Sequence, residues 1–572
     1  LANESGRSLT VLRRRLTTMP AIKTPHWAAD ARRGASLVPF LWVGAWNATN
    51  RADQAVLELM SEEHTYDVLE RQCQDLVRLN DPPLWSVGHY RGVLSTIDVL
   101  FAIAPQITAS DLERFFKVAH IVLGEDDPGL DLAEDKRWAA NIYGKRREFS
   151  AALRQGIAEA LVLLAVHGDH LFGSRLAFDC EHEAGTLVGT LLTPLSTRLL
   201  EANDHDLTAY AEAAPEVFLA ILEDDLKSGT PATYGLMRPA GSGVFGGCPR
   251  TGLLWALEGL AWSPATMPRV ARILAQLSRI EINDNWVNKP MNSLESIFAA
   301  WMPQTAADHT TRLRVLKDLA VRCPEIAWRL CIAQIEPGSR SGSGSHKPKW
   351  RNDGLGYGEP LPTWGPIIAF TKDMVEMALA WKSDYTEAMI CDLVNCLPGL
   401  SNEDRDRVWT IMTAWASSAP DREKARVREH IRQRILSRRS KRHTNHDEYV
   451  ALTDAAKAAR QALEPTDIVQ KHAWLFREHW LTESAEDLAD IDRDFDKRAE
   501  RVAARRAEAL GDVYATRGVI GVLELSTQGN AAFVAGLLLA ERVLSRAEVA
   551  DVICAALAPI NALNAGSRQN LD

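Results

Sequence analysis

The chain has 572 residues, more than the roughly 250 to 300 that one hydrophobic core usually organises, so two or more domains or a long repeat array are expected. Hydrophobic residues at 46% and charged residues at 24% exclude a wholly disordered or collagen-like chain. The balance of 65 Lys and Arg against 75 Asp and Glu gives a net charge of -10, so a nucleic-acid contact would need a local basic patch.

The first sixteen residues carry the first motif. Gly6 stands where a turn would fall, Ser8 would cap the helix that follows, and that helix presents Thr10, Arg13, Arg14 and Arg15, with Arg7 beside the turn as a further candidate contact. This resembles the second half of a helix-turn-helix, in which such side chains face a groove or phosphates; the structural alternative is a capped basic helix packed on an upstream module. Because the chain opens at Leu1 inside helix-like sequence, it is read as part of a longer protein. The three arginines are not followed by an apolar run, so no signal peptide is expected.

Beyond residue 50, apolar residues recur three and four apart in Leu153 to Leu164, Val217 to Leu226, Leu253 to Trp262 and Leu313 to Leu319. Alternating strand-like runs are almost absent, and short Pro, Gly, Asn or Asp clusters separate the segments. The expected fold is all-α, an α-solenoid of stacked helical hairpins of the HEAT or armadillo kind, with irregular multi-helix domains as the alternative. Pro215 and Pro324 each sit where a helix would start, and Leu260-Ala261-Trp262, Leu379-Ala380-Trp381 and Thr413-Ala414-Trp415 would each end one. The longest apolar runs, Leu161 to Val166 and Ala531 to Ala540, fall short of the roughly 18 to 20 residues of a membrane span. The eight cysteines read as buried thiols in a reducing, cytoplasmic setting.

His167, His170, Asp179 and His182 form the one cluster with metal-ligand chemistry, but their spacing matches no zinc motif, and histidine is common at helix ends. Gly241-Ser242-Gly243-Val244-Phe245-Gly246 satisfies G-x-G-x-x-G without the preceding strand that a dinucleotide site requires. No nucleophile motif is present. Neither a cofactor nor catalysis is expected of this chain.

Arg250-Thr251-Gly252-Leu253-Leu254-Trp255-Ala256-Leu257-Glu258, Leu260 to Pro264, Asn288-Lys289-Pro290, Ser293-Leu294, Ile297-Phe298 and Trp301 to Thr305 resemble the helical-repeat arm of large bacterial STAND-type NTPases. That family is similar to eukaryotic NACHT and NOD-like receptors. The resemblance is closest over 248–335. It implies a sensor arm that binds a protein ligand on a concave face, within a larger signalling or defence NTPase whose nucleotide-binding part would lie upstream. The family's phosphate-binding loop and magnesium-binding acids have no counterpart here, so no catalytic residue carries over.

Farther along, 337–358 is Ser, Gly, Lys and Pro rich and reads as a flexible linker or long loop, with Trp350 and Trp364 as exposed anchors beside it. Trp255 and Trp262, seven apart, read as one packed helix face. A second basic run, from Arg422 to Arg442, includes Arg434, Arg438, Arg439, Lys441 and Arg442 and could hold phosphates. A charged helix is expected between Glu483 and Leu510, mostly solvated. The organisation is therefore an N-terminal basic segment (1–50), a helical-repeat domain (51–336), the linker (337–358), a second helical-repeat domain (359–440) and a C-terminal helical region (441–572). Protein is the expected partner, nucleic acid is the alternative, and no membrane is expected; ligand and oligomeric state are left open.

Overall fold

The computed structural model describes residues 25–62, 64–240, 247–336, 342, 344–382, 384–435, 453–478, 481, 495–528 and 531–569. Helix makes up 69% and strand 2%, with 27 α-helices among the described residues, so the fold is all-α. Two compact units divide the chain, Leu1–Leu330 with Arg340–Phe370, and Cys331–Ser339 with Thr371–Asp572.

The first unit opens with α1 (His26–Ala29), α2 (Ala31–Ser36), α3 (Val38–Val43), β1 (Ala45–Asn47), α4 (Arg51–Ser61), α5 (Tyr66–Val77), β2 (Leu84–Val87), β3 (Tyr90–Val93), α6 (Thr96–Ile103) and α7 (Ala109–Leu123). The strands form one antiparallel sheet in the order β1-β3-β2. This small sheet was not anticipated from sequence. Its signal is weak but readable: Gly88, at φ +57°, turns the hairpin, and Gly92 leaves room for the Trp85 ring, which an added Cβ would meet at 2.6 Å.

The core helix is α8 (Ala151–Gly168), which packs on α3, β1, α7, α10 and α12. It starts because the Ser150 hydroxyl accepts the Leu153 N–H at 3.2 Å. Asp53, fully buried, fixes that start by accepting from the Ser150 N–H at 3.0 Å, the Ser150 hydroxyl at 2.6 Å and the Asn47 N–H at 2.9 Å. Gly156 lets the Val43 carbonyl approach so closely that a Cβ would lie 1.9 Å from it. The helical run Ala151–Leu176 has mean hydropathy 1.2 over its most apolar window and is long and apolar enough to cross a membrane by length and composition. That corrects the count of short apolar runs, which took no account of the alanines and glycines joining them. The window is 67% buried among neighbouring helices, the surroundings of a core helix.

A short helix, α9 (Ser174–Leu176), leads to α10 (Cys180–Leu192), α11 (Thr197–Ala202), α12 (Leu207–Ala213), α13 (Pro215–Asp225), α14 (Thr251–Ala261), α15 (Met267–Leu277), α16 (Pro290–Phe298), α17 (His309–Arg322) and α18 (Pro324–Ile335). Pro215 and Pro324 do open helices, where a missing N–H leaves no intrahelical bond unmade. Helices α8, α12, α14 and α16 each pack on the next, and so do α10, α13, α15 and α17. Two buried ion pairs hold the first row. Arg154 meets Asp206 at 2.8 Å, and Arg250 reaches both Asp284 oxygens at 3.0 and 2.9 Å. Along the second row, α15 reaches both neighbours: Arg269 to Glu223 at 2.7 Å and Arg272 to Asp318 at 2.8 Å.

The second unit comprises the later part of α19 (Trp364–Leu379), then α20 (Glu387–Cys396), α21 (Asn402–Ala416), α22 (Asp421–Arg434), α23 (Asp454–Ala462), α24 (Ile468–His472), α25 (Phe495–Ser526), α26 (Ala531–Leu538) and α27 (Arg546–Gln569). Val469, Phe476, Leu510, Val513 and Leu525 anchor its C-terminal core. The charged helix expected from Glu483 begins, among the described residues, at Phe495 and breaks at Gly518, whose φ of +59° is left-handed. It is less solvated than its composition implies. Arg506 is buried and donates to the carbonyls of Leu475 and Glu478, both at 2.8 Å.

Candidate functional site

Residues 344–358 do not behave as a free linker, because part of this stretch is strapped across α8, α12 and α14. Glu258 on α14 accepts the His346 N–H at 2.9 Å and the Ser293 hydroxyl at 2.7 Å. The Trp262 indole donates to the His346 carbonyl at 2.7 Å, and the His346 ring stacks on Trp255 with centroids 5.7 Å apart. Next, Glu212 on α12 gathers three consecutive backbone N–H groups: Lys349 at 3.0 Å, Trp350 at 2.5 Å and Arg351 at 2.7 Å. Successive amides curled around one anion form a nest, and the Arg351 charge adds to the attraction. Finally the Lys349 ammonium meets Glu159 on α8 at 2.9 Å. At the other end, Gln304, just past α16, accepts the Ser345 N–H at 3.0 Å. The strap thus meets polar residues that follow α16 and lie on α14, α12 and α8, in reverse chain order.

Electrostatics follow from burial. Burial lifts the Glu212 carboxyl above its usual range, although the N–H groups of Arg351, Trp350 and Lys349 pull the other way. Burial also holds the His346 imidazole below its usual range, against the attraction of Glu258. A cleft of about 210 Å³ lies alongside, lined among others by Glu181, Glu212, Glu216, Trp255 and Arg351. Acidic groups predominate on the helices and basic groups on the strap.

Two tryptophan expectations are reversed here. Trp350, taken as an exposed anchor, is buried; Trp255, taken as core, is 45% exposed because His346 covers only one face. Trp364 is exposed as expected, and Trp262 is fully buried.

The other candidate residues lie apart. Arg7, Thr10, Arg13, Arg14 and Arg15 fall outside the described residues, as do Arg438, Arg439, Lys441 and Arg442, and Gly241 to Gly246. Arg434 is exposed at the end of α22. Upstream in that helix the positive charge is met by carboxylates: Arg426 by Glu387 at 2.5 Å, Arg428 by Glu464 at 3.8 Å and Arg432 by Glu429 at 2.7 Å. Arg432 and Arg505 also flank the Trp474 ring at 4.8 and 5.1 Å, beside a second cleft.

His167 is buried with its ring against Phe101, whereas His170 and His182 are exposed. Asp179 serves as the cap of α10, accepting the His182 N–H at 2.8 Å. No group of three His, Cys, Asp or Glu side chains that could hold a metal occurs among the described residues. Most cysteines are buried, and burial pushes the thiols of Cys73, Cys180, Cys331 and Cys396 up to about 12; Cys554 is exposed, contrary to expectation.

No protein-family model matches the chain, and no curated protein does. One solved structure, a crystal structure of an engineered protein, aligns with 92% of this chain and 96% of its own at 10% identity and a TM-score of 0.13, too low to support any fold argument.

Proposed function

We propose that the chain is a non-enzymatic helical-repeat arm that binds a protein ligand along the face of α8, α12, α14 and α16, as part of a larger STAND-like signalling NTPase. One observation carries the repeat reading. Arg269 bonds Glu223 and Arg272 bonds Asp318, each pair 46 residues apart in sequence, and Arg279 meets Glu325 at the same interval. Glu212, Glu258 and Gln304 on the strapped face keep this period too (212 to 258, 258 to 304). Helix-pair repeats of the HEAT class run about 40 to 47 residues, and each such pair buries its apolar stripe on the next. The two rows of successive helices support an α-solenoid for this part of the chain.

Such a face suits protein recognition, since many modest contacts add along it while no reactive group is required. In a signalling NTPase, a ligand gripped there shifts the switch only if it binds one of its two states more tightly. The nucleic-acid alternative gains little from α22, where carboxylates meet Arg426, Arg428 and Arg432, or from the strapped face, whose helices α8, α12 and α14 carry Glu159, Glu212 and Glu258.

Affinity capture with the full chain as bait, followed by cross-link mapping, tests the reading. It expects a partner whose cross-links fall on α12, α14 and α16. A partner linked only elsewhere, or a specific salt-dependent complex with nucleic acid and none with protein, would contradict it.

A further inference from the structure

We propose that residues 345–351 are a built-in occupant of this face, and that the external ligand enters as an irregular basic segment of a protein, with a tryptophan among lysines and arginines, displacing the strap. The inference rests on the helical-repeat reading and names its ligand class.

Three observations converge on it. The first is the mode of grip. Glu212 and Glu258 hold the strap by its backbone N–H groups, which every non-proline residue possesses, so a foreign chain can supply the same donors. Charge is the second. Glu159, Glu181, Glu212 and Glu258 lie beside a strap that carries Lys347, Lys349 and Arg351, with Asp353 its one acid before Gly354, whereas Glu216 at the cleft is already paired with Arg269 at 2.6 Å. A basic segment is favoured there, and an acidic one or a phosphate backbone is repelled.

Exchangeability is the third. Residues 344–348 belong to neither helix nor strand, and the Lys347 and Lys349 side chains lie outermost, over the Trp262 ring at 4.6 Å and the Trp350 ring at 4.8 Å. Trp350 is the buried anchor. Leaving the face therefore breaks the main-chain bonds to Gln304, Glu258 and Glu212, the Trp262 indole bond and the Lys349–Glu159 pair, and uncovers Trp350 and part of Trp262, without unfolding a helix. Because the strap is tethered to the face it covers, its effective concentration is on the order of millimolar, and it masks the site from a weaker ligand in trans.

The test uses the full chain and a labelled nine-residue peptide of the sequence Ser345 to Asp353, read by fluorescence anisotropy. A strap-loosened variant, Lys349→Glu with Trp350→Ala and Arg351→Glu, is expected to bind the peptide at least about tenfold more tightly than the unaltered chain. Adding Glu212→Ala is expected to remove that gain, and a peptide with its Lys and Arg changed to Glu should bind neither protein. Equal affinity of loosened and unaltered chains, or indifference to peptide charge, overturns the proposal.

Should the loosened variant fail to fold, hydrogen exchange on the unaltered chain decides. Excess peptide should speed exchange at Lys349, Trp350 and Arg351 several-fold, and unchanged protection refutes displacement. A partner cross-linked to α14 and α16 with strap protection intact would leave the repeat reading standing and sink this one.

Discussion

The backbone N–H of Trp350 meets a carboxylate oxygen of Glu212 at 2.5 Å, across 138 residues of sequence. The bond places a polar segment, rich in Gly, Ser and Lys, onto the face of a helical stack. It also explains why Glu212 is buried. A carboxylate there would lose its hydration without compensation unless the N–H groups of 349–351 replaced the water.

Glu212→Ala leaves the three strap amides without their acceptor, so they turn to water and the strap lifts. Trypsin cleavage after Lys349 and Arg351 should accelerate at least about tenfold, the effect of losing roughly 1.4 kcal/mol or more of local protection. The melting temperature should change far less than for a core substitution. Cleavage at the unaltered rate would show that the carboxylate does not hold the segment.

A pH dependence follows from His346. Its folded-state value is depressed by burial, so it contributes stability fully above the unfolded value of about 6.5 and loses it as pH falls from there through the folded value. Glu212 acts in the opposite sense, because its raised folded-state value means that its contribution fades as pH rises past the unfolded carboxyl range. Comparing the unaltered chain with His346→Phe, which keeps a ring on Trp255, isolates the imidazole. Relative to the intrinsic exchange rate at each pH, strap amide protection should fall more on going from pH 7 to about pH 5 in the unaltered chain than in the variant. Identical pH profiles would exclude the imidazole.

Close helix approach yields a sharper mutational test. At Gly252 a Cβ would sit 1.8 Å from the Asp204 carbonyl oxygen, and at Gly156 it would sit 1.9 Å from that of Val43. Both partners are backbone and cannot swing aside. Gly252→Ala and Gly156→Ala should each destabilise the first unit by about 1 to 3 kcal/mol in chemical denaturation. Gly229→Ala, with nothing within 4 Å, should be nearly silent.

The buried pair of Arg154 and Asp206 carries a separate prediction. Arg154 also donates to the carbonyls of Val122 and Leu123, tying α7 to α8. Arg154→Met strands Asp206 and should cost about 3 to 5 kcal/mol, measured by urea denaturation. The paired change with Asp206→Asn should recover part of that loss, and failure to recover any would place the effect in packing alone.

The helices were legible because their apolar spacing and prolines are local signals, and α13 and α18 begin where Pro215 and Pro324 put them. The strap was not, because its order comes from distant partners. Composition assigns 345–351 to a linker, and it takes distant partners such as Glu159, Glu212, Glu258, Trp262 and Gln304 to reveal that this segment is bound. The 46-residue interval was present in the sequence but carried by charged and polar side chains, where the repeated phrases with Trp drew attention to apolar residues instead. Trp255 and Trp262 illustrate the cost: seven apart, they share a helix stripe, yet only Trp262 faces the interior.

Zero-length carbodiimide cross-linking tests the central claim, that the face of α8, α12 and α14 holds a basic chain segment. The Lys349 ammonium stands 2.9 Å from Glu159, and the exposed Lys145 to Asp131 pair, at 3.0 Å, serves as an internal control. The account predicts a Lys349–Glu159 linked peptide at a yield comparable to the control, declining as a basic tryptophan-containing peptide is added. Recovery of the control link without the Lys349–Glu159 link would contradict it.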